Sequence, residues 1–443
     1  MLLITITNNS KTEIVSIKFP YRYRVLIFLF FLIFITYLDR NSIGLLSVEI
    51  KKDFGINATQ WGLVTGAFSL AYAIFEIPSG MLGDIKGQRV ALIRIVLFWS
   101  FFTALTGLTT GFVSLIIVRF LFGVGEAGAF PNSSAVVSRW FPARESSLGV
   151  SSLFIGLCFG SALAPFIVVP MEDVLGWRGT FFINGAIGLL WLAICFYWFR
   201  NNPSEIKAVP IKERHFIETN RRLSRHGGTI LWRHLLKSRS LLSLSLSFFC
   251  SQWNLYFLVA WMPNYLRDGR HFTKENMMYL TSIVFAPGIV TSLLSGVLGD
   301  WLIKTKGLKF GRRFLGVSCL TLMGCSYLIA ATTLINTIMI SCFAVASTLG
   351  MCYGITAYGV CVDISGRYTG RVAGIMNTFG QIGALFMTTL FGVIVDYTKN
   401  YSAPLYLIAF VLVAGALLFL LIDPTKRLVI EEGQLELENI VPA

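Results

Sequence analysis

Asp39, Arg40, Glu76, Arg119 and Glu126 are ionisable residues set inside otherwise apolar stretches of the sequence. A charge withdrawn from water is costly, so such residues in membrane-length apolar runs point to function. Arg119 and Glu126 are seven residues apart, which on a helix places them on nearly one face, about 10 Å apart along the axis. Asp39 and Arg40 are neighbours that project roughly 100° apart; one helix does not aim both at a single point, although both can reach an aqueous cavity. Two guanidiniums in a low-dielectric cavity make an anion site, because the planar fork grips a carboxylate with two hydrogen bonds and stays charged. Carboxylates beside them suit proton coupling, since burial and a neighbouring arginine pull a carboxyl group in opposite directions. Read as scaffolding alone, Asp39–Arg40 and Arg119–Glu126 are ion pairs that hold a bundle together, but buried pairs are a weak source of stability.

The elements that position these residues are apolar helices. The chain has 443 residues, of which 55% are hydrophobic and 14% charged, against about 25% charged in an ordinary soluble protein. Apolar residues come in long blocks, such as Val25–Tyr37 and Leu405–Ile422. A bilayer core needs roughly 20 apolar residues in helical form, with the backbone hydrogen-bonded within the segment. Alternating segments of the β-barrel kind are absent. The sequence therefore predicts an all-α integral membrane fold of twelve transmembrane helices. The first six lie near 24–46, 61–81, 91–110, 112–138, 147–170 and 179–199; the others lie near 241–266, 277–298, 313–333, 336–360, 371–395 and 403–422.

The net charge of +14 does not point to nucleic acid, because it is distributed by topology. Basic residues fall in alternate loops: Arg22 and Arg24 with Lys11 and Lys18, Lys86 and Arg89, Arg139 and Arg144, Lys304 to Arg313, and Arg367 with Arg371. The segment 200–240 adds Arg221, Arg222, Arg225, Arg233, Lys237 and Arg239. The positive-inside rule places these loops and both termini in the cytoplasm. A block starting only after a polar stretch does not resemble a cleavable signal.

One element occurs twice. Gly80-Met81-Leu82-Gly83-Asp84, followed by Gly87 and Arg89, has its counterpart in Gly296-Val297-Leu298-Gly299-Asp300, followed by Arg312 and Arg313. The copies stand 216 residues apart, each after the second span of a six-span half, as expected of two repeated halves with a site between them. The division is an N-terminal segment 1–23, a first half 24–199, a linker 200–240 with Pro203, Pro210 and Gly227–Gly228, a second half 241–422, and a tail 423–443 that carries Glu431, Glu432, Glu436 and Glu438. Gly80 and Gly83 permit close helix approach, and Asp84 can face the N-terminus of a neighbouring helix, where a carboxylate is favoured. Lys86 and Arg89 can pair with acidic groups. Such an element can act as a latch on one conformation. The second half has almost no charge inside its spans and offers Gln252, Asn254, Tyr256, Thr356, Asn377 and Gln381 instead.

The duplicated element resembles the loop signature of the major facilitator superfamily. Tyr37-Leu38-Asp39-Arg40, Ala71-Tyr72-Ala73, Ile77-Pro78, Arg119-Phe120, Gly125-Glu126, Phe130-Pro131, Trp140-Phe141-Pro142, Trp177-Arg178, Asn202-Pro203-Ser204-Glu205, Trp261-Met262-Pro263 and Gly374-Ile375-Met376-Asn377 are similar to motifs of its anion:cation symporter family. That family includes bacterial proton-coupled permeases for galactonate, hexuronates and glucarate, with sialin and the vesicular glutamate transporters as relatives. The resemblance implies a secondary transporter that carries a small organic anion, of sugar-acid type, together with protons across a bacterial inner membrane. It implies that Arg40 binds the solute carboxylate, that Arg119 belongs to the same network, and that Asp39 and Glu126 take part in proton coupling. Tyr37, Tyr72, Asn254, Thr356 and Asn377 fall at or near solute-lining positions. Glu76 departs from the pattern, standing where an uncharged residue is usual; it can titrate, repel dianions or simply face the cytoplasmic cavity. The end of span 10, Asp363-Ile364-Ser365-Gly366, lacks a proline found in many relatives.

Other classes fit less well. The phosphate-binding motif of ATP-driven transport is absent, the four histidines have no metal spacing, and the eight cysteines lie in or beside apolar blocks without C-x-x-C spacing, as reduced buried thiols do. No cofactor is expected, nor is enzymatic activity; a monomer is. A drug/proton antiporter would also use embedded carboxylates, but embedded arginines oppose a cationic solute. A non-transporting sensor would need an output domain that the 200–240 segment and short tail do not offer. The aromatic blocks Phe28–Phe31 and Phe196–Phe199 are expected to face lipid.

Overall fold

The computed structural model describes residues 2–8, 11–17, 19–142, 145–221, 238–365, 369–426 and 428. Arg144, Arg222, Arg225, Arg233, Lys237, the Gly227–Gly228 pair, Arg367 and the acidic tail with Glu431 to Glu438 lie outside the described residues.

Long apolar helices dominate the structure. They are α1 (Tyr21–Leu45), α2 (Ser47–Phe54), α3 (Ala58–Lys86), α4 (Gln88–Thr106), α5 (Phe112–Glu126), α6 (Ala129–Trp140) and α7 (Ser146–Trp198) in the first half. The short α8 (Ile211–Asn220) follows, and then α9 (Arg239–Tyr256), α10 (Lys274–Lys306), α11 (Leu308–Thr332), α12 (Asn336–Ser365), α13 (Thr369–Thr398) and α14 (Ala403–Leu420). Among the described residues, eleven helical stretches are long and apolar enough to cross a membrane, one fewer than the twelve spans expected. The difference lies in α7, a continuous run in which Gly176 alone leaves helical geometry, at φ 68° and ψ 170°. Only glycine adopts that backbone freely. On one side of it, a Cβ on Gly156 would stand 2.9 Å from the Phe30 carbonyl; on the other, Trp191 Nε1 donates to the Phe28 carbonyl at 3.2 Å. Both limbs of α7 thus meet the same turn of α1, so the chain reverses at Gly176 and crosses twice. The count of twelve crossings stands; what the sequence pattern missed is that spans 5 and 6 share no loop.

Two further departures are local. The fourth expected span breaks at Ala127 (φ −52°, ψ 130°) and Gly128 (φ 89°, ψ 3°), between α5 and α6. The seventh continues from α9 through π-helical stretches Phe257–Trp261 and Tyr265–Gly269, wide turns that recur at functional sites. Ahead of α1, the segment expected to be only polar forms an antiparallel hairpin, β1 (Leu2–Asn8) and β2 (Lys11–Ile17), with Leu2 opposite Ile17. The alternation Ile4-Thr5-Ile6-Thr7 in the first strand suits it.

The halves meet along α3 with α13 and along α7 with α10. Gly44 and Gly392 lie directly on the Val259 and Ala58 carbonyls, and a Cβ on Gly62 would stand 2.5 Å from that of Thr388. At the end opposite the chain termini, charges bridge the halves: Lys51 to Asp268 at 2.6 Å, Arg267 to Glu49 at 3.1 Å, and Lys274 to Glu172 and Asp173. Asp396 accepts hydrogen bonds from the Ala58 and Thr59 backbone at 3.3 and 2.7 Å, a carboxylate at the N-terminus of α3 where the helix dipole favours it. The far end is therefore shut. At the terminal end, the described ion pairs join elements within one half or its linker, as Arg22 does with Glu145 and Glu213, Arg312 with Asp363 and Lys309 with Asp423.

The aromatic blocks divide rather than face lipid as wholes. Phe31 and Phe196 are exposed, whereas Phe28 and Phe199 are buried and stacked with ring centroids 5.1 Å apart. The cysteines are all free, but Cys325 is exposed on α11 and Cys342 half-buried, so burial does not hold for all eight.

Candidate functional site

A cavity of about 840 Å³ lies between the halves, with Ile33, Tyr37, Arg40, Tyr72, Glu76 and Phe130 on one wall and Phe248, Asn254, Tyr353, Tyr358, Asn377 and Gln381 on the other. A smaller space, about 380 Å³, adjoins it beyond Arg40 and includes Arg119, Phe68 and Tyr256. Arg40 stands between the two and lines both.

The Arg40 guanidinium donates from Nε to Glu126 Oε1, and both side chains are buried. Its carbon lies 5.1 Å from the Tyr37 ring centroid, 5.1 Å from Phe68 and 4.9 Å from Tyr72. Three aromatic faces thus hold the cation without neutralising it, leaving hydrogen-bonding capacity for an incoming anion. Arg119 sits over Phe122 at 4.4 Å and Phe68 at 5.4 Å, and its Nε has no hydrogen-bond partner. The break after α5 follows Glu126 directly. Arg94 braces that break by donating to Ser79 Oγ and, at 3.3 Å, to the Ala127 carbonyl. Arg94 escaped the sequence reading although it stands inside the apolar run 91–110, where an arginine was itself a signal.

Asp39 and Arg40 part company as their helical phase requires. Asp39 Oδ2 accepts from Trp99 Nε1 at 2.7 Å and from Thr103 Oγ1 at 3.4 Å, while Oδ1 is unpartnered. It is buried against α4 and absent from the lining of either cavity, so only Arg40 of the two reaches the open space.

On the second half, Asn254 is held by Tyr327, which donates to its Oδ1 at 2.8 Å, and by the Ala346 carbonyl, which accepts from its Nδ2 at 3.2 Å. Asn377 accepts from Tyr358 at 2.9 Å, and Gln381 from Tyr256 at 2.6 Å. All three face the cavity. Thr356 does not: its hydroxyl donates to the Cys352 carbonyl at 2.9 Å and it lines neither space. The structure does not bring Thr356 to the lining with the other residues of that set; one helical residue shifts direction by about 100°. Phe130, named from sequence only as part of a motif, meets Phe154 and Tyr358, which the sequence did not single out; their rings lie 5.4 to 5.9 Å apart in the cavity wall. Aromatic residues are too common in spans to stand out.

The duplicated element divides in its details. Gly83 packs directly on the Asn132 side chain, whereas a Cβ on Gly80 would meet nothing within 4 Å; the close approach expected of both occurs at one. Asp84 is exposed, with Arg139 as an electrostatic neighbour, and no helix N-terminus is shown against it. Gly87 has φ 88°, and Arg89 N donates to Asn201 Oδ1 at 2.8 Å, which fastens the loop to the start of the linker. In the counterpart, Gly299 is buried, a Cβ on it would stand 3.7 Å from Leu315, and Asp300 is exposed.

Twelve crossings in paired halves around one inter-half cavity define a secondary-transporter architecture. The sequence profile of the Major Facilitator Superfamily matches residues 29–388, and the chain belongs to that superfamily. Among its relatives, the hexuronate transporter of Bacillus subtilis is 31% identical over 89% of this chain and 92% of its own length. A probable sulfoacetate transporter of Cupriavidus necator is 29% identical over 88% and 91%. Among solved structures, a bacterial homologue of the human lysosomal transporter Spinster, inward-facing and unoccupied, superposes with TM-score 0.71 at 20% identity, over 91% of this chain and 97% of that one; that likeness establishes the fold. The chain is a multi-spanning membrane transporter, not an enzyme.

Proposed function

We propose that this protein is a proton-coupled symporter that imports a small organic anion of sugar-acid type across a bacterial inner membrane by alternating access. The observation that carries the reading is the Arg40–Glu126 pair at the cavity wall. A guanidinium whose charge is already paired with one carboxylate grips a second more weakly until the first relaxes its hold. A proton on Glu126 does this: it removes the competing charge and leaves the fork of Arg40 to the solute carboxylate. Arg119, with an unpartnered Nε, supports the positive field, and Asp39 carries a further proton against Trp99 and Thr103. Tyr37, Tyr72, Asn254 and Asn377 contact the solute; the hexuronate and sulfoacetate relatives, both named for organic acids, support that solute class.

In this scheme the halves are residues 24–199 and 241–422, joined by 200–240, and both termini lie in the cytoplasm with segments 1–23 and 423–443. The shut far end is then external, and the cavity faces the cytoplasm. The elements at Gly80, Gly83, Asp84, Gly87 and Arg89 and at Gly299 and Asp300 latch the alternative conformation. One protomer suffices. Coupling has a purpose: an inside-negative membrane opposes anion entry by about 2.3 kcal/mol per charge per 100 mV, and a co-transported proton cancels it. Uptake of a panel of sugar acids into proteoliposomes under an imposed pH gradient tests the proposal; no proton-driven accumulation of any organic anion would overturn it.

A further inference from the structure

Glu76 stands apart from the network just described. It is only 2% exposed, lines the 840 Å³ cavity with Arg40, and its Oε2 has no hydrogen-bond partner. Its hydrogen-bonding neighbour is the side chain of Asn377, whose own carbonyl oxygen is taken by Tyr358. No described lysine, arginine or histidine is ion-paired with it, whereas Glu126 has Arg40. Of the three embedded carboxylates Asp39, Glu76 and Glu126, Glu76 is the one that lines the cavity.

A solute whose acid group docks at Arg40 must extend its other end within this same cavity. A hydroxyl at that end finds acceptors in the Glu76 carboxylate and the Gln381 and Asn377 amides. A second carboxylate there meets the like charge of Glu76, which has no described ion-pair partner, in surroundings where Coulomb repulsion is weakly screened. We infer that Glu76 is a specificity determinant that restricts the transporter to monoanionic, hydroxyl-bearing acids and excludes dianions. The inference rests on the proposed role of Arg40 as the carboxylate anchor. It separates this chain's solute from a dianion such as sulfoacetate and aligns it with a singly charged acid such as a hexuronate.

The test is competition in proteoliposomes at pH 7, with matched pairs that differ at one terminal carbon: gluconate against glucarate, and galactonate against galactarate. For the wild type the aldarate should compete at least about tenfold more weakly than its aldonate, a modest demand on a like-charge contact. In Glu76→Gln, which keeps the shape and the hydrogen-bonding groups, that ratio should fall severalfold; in Glu76→Asp, which keeps the charge, it should persist. Equal competition by the two acids in the wild type overturns the inference without recourse to any variant. An unchanged ratio in a folded Glu76→Gln protein overturns it as well. If no organic anion competes or accumulates at all, the proposed function itself fails and this inference with it, an outcome distinct from a failure of selectivity alone.

Discussion

The two halves of the molecule share a fold but not a chemistry. The first half supplies the embedded charges Asp39, Arg40, Glu76, Arg94, Arg119 and Glu126; the second faces the same cavity with Asn254, Asn377, Gln381, Tyr353, Tyr358 and Phe248. Its neutral groups are held in place by hydrogen bonds from neighbouring tyrosines, with Tyr327 on Asn254, Tyr358 on Asn377 and Tyr256 on Gln381. Tyr256 belongs to the second half yet lines the smaller space with Arg40 and Arg119, so it spans the division. The lesson is a separation of tasks. In the proposed mechanism the charged half binds the acid, couples it to protons and, through Glu76, excludes dianions, while the fixed neutral wall reads the hydroxyls. Keeping the charges on one rigid body also spares the moving interface from breaking buried ion pairs, whose rupture costs several kcal/mol.

The sharpest way to break this comparison is Arg40→Ala, which should abolish binding and uptake, read by direct solute binding and by transport. Arg40→Lys should rescue little, because an ammonium lacks the planar fork; full rescue would mean that only the sign of the charge matters. Next, Glu126→Gln and Asp39→Asn should lower proton-driven uptake by tenfold or more, about the scale of one lost coupling interaction, while solute counterflow survives. Equal retention of both activities would remove these carboxylates from the coupling step. On the neutral wall, Gln381→Ala should raise the half-saturation concentration by roughly three- to tenfold, as expected for one neutral hydrogen bond, and should change the ranking of hydroxy acids without altering proton dependence. A change in proton dependence there would erase the separation of tasks.

The smallest effect is expected outside the spans. Asp423 accepts from Thr425 Oγ1 at 2.6 Å and pairs with Lys309 at 3.2 Å. Those contacts, the Thr425 hydrogen bond first, hold its carboxyl down from 3.8 to about 2. Because the folded value is the lower one, its contribution to stability is present above pH 3.8 and is lost as pH falls toward 2. Asp423→Asn should lower the melting temperature only slightly, measured by thermal unfolding in detergent at neutral pH, and the difference from wild type should vanish at the acid end. Ion pairs near a surface contribute little.

Much of the fold was legible because lipid imposes it: apolar runs of helical length leave few alternatives. The paired halves were legible because Gly-x-Leu-Gly-Asp recurs at matching places. Position along the chain also sufficed for the embedded charges other than Arg94, since charge is rare in spans. Direction did not follow so easily. Thr356 turns to the Cys352 carbonyl and Asp39 to Trp99, and the phase of a helix is set by packing that an apolar sequence scarcely encodes. The reversal at Gly176 was hidden for a different reason: one left-handed residue replaces the polar loop by which a turn is usually recognised.

The ion pairs at the shut end have a consequence for how the resting molecule responds to its medium. Lys51–Asp268, Arg267–Glu49 and Lys274 with its two acidic partners are partly exposed, so dissolved salt reaches them. At physiological ionic strength the screening length is about 8 Å, and it shortens to about 3 Å at 1 M. Rising salinity on that face weakens the clasp more than it does the buried pair of Arg40 and Glu126. On the proposed alternating-access scheme, salt at that face then shifts the balance between the two orientations, independently of any solute.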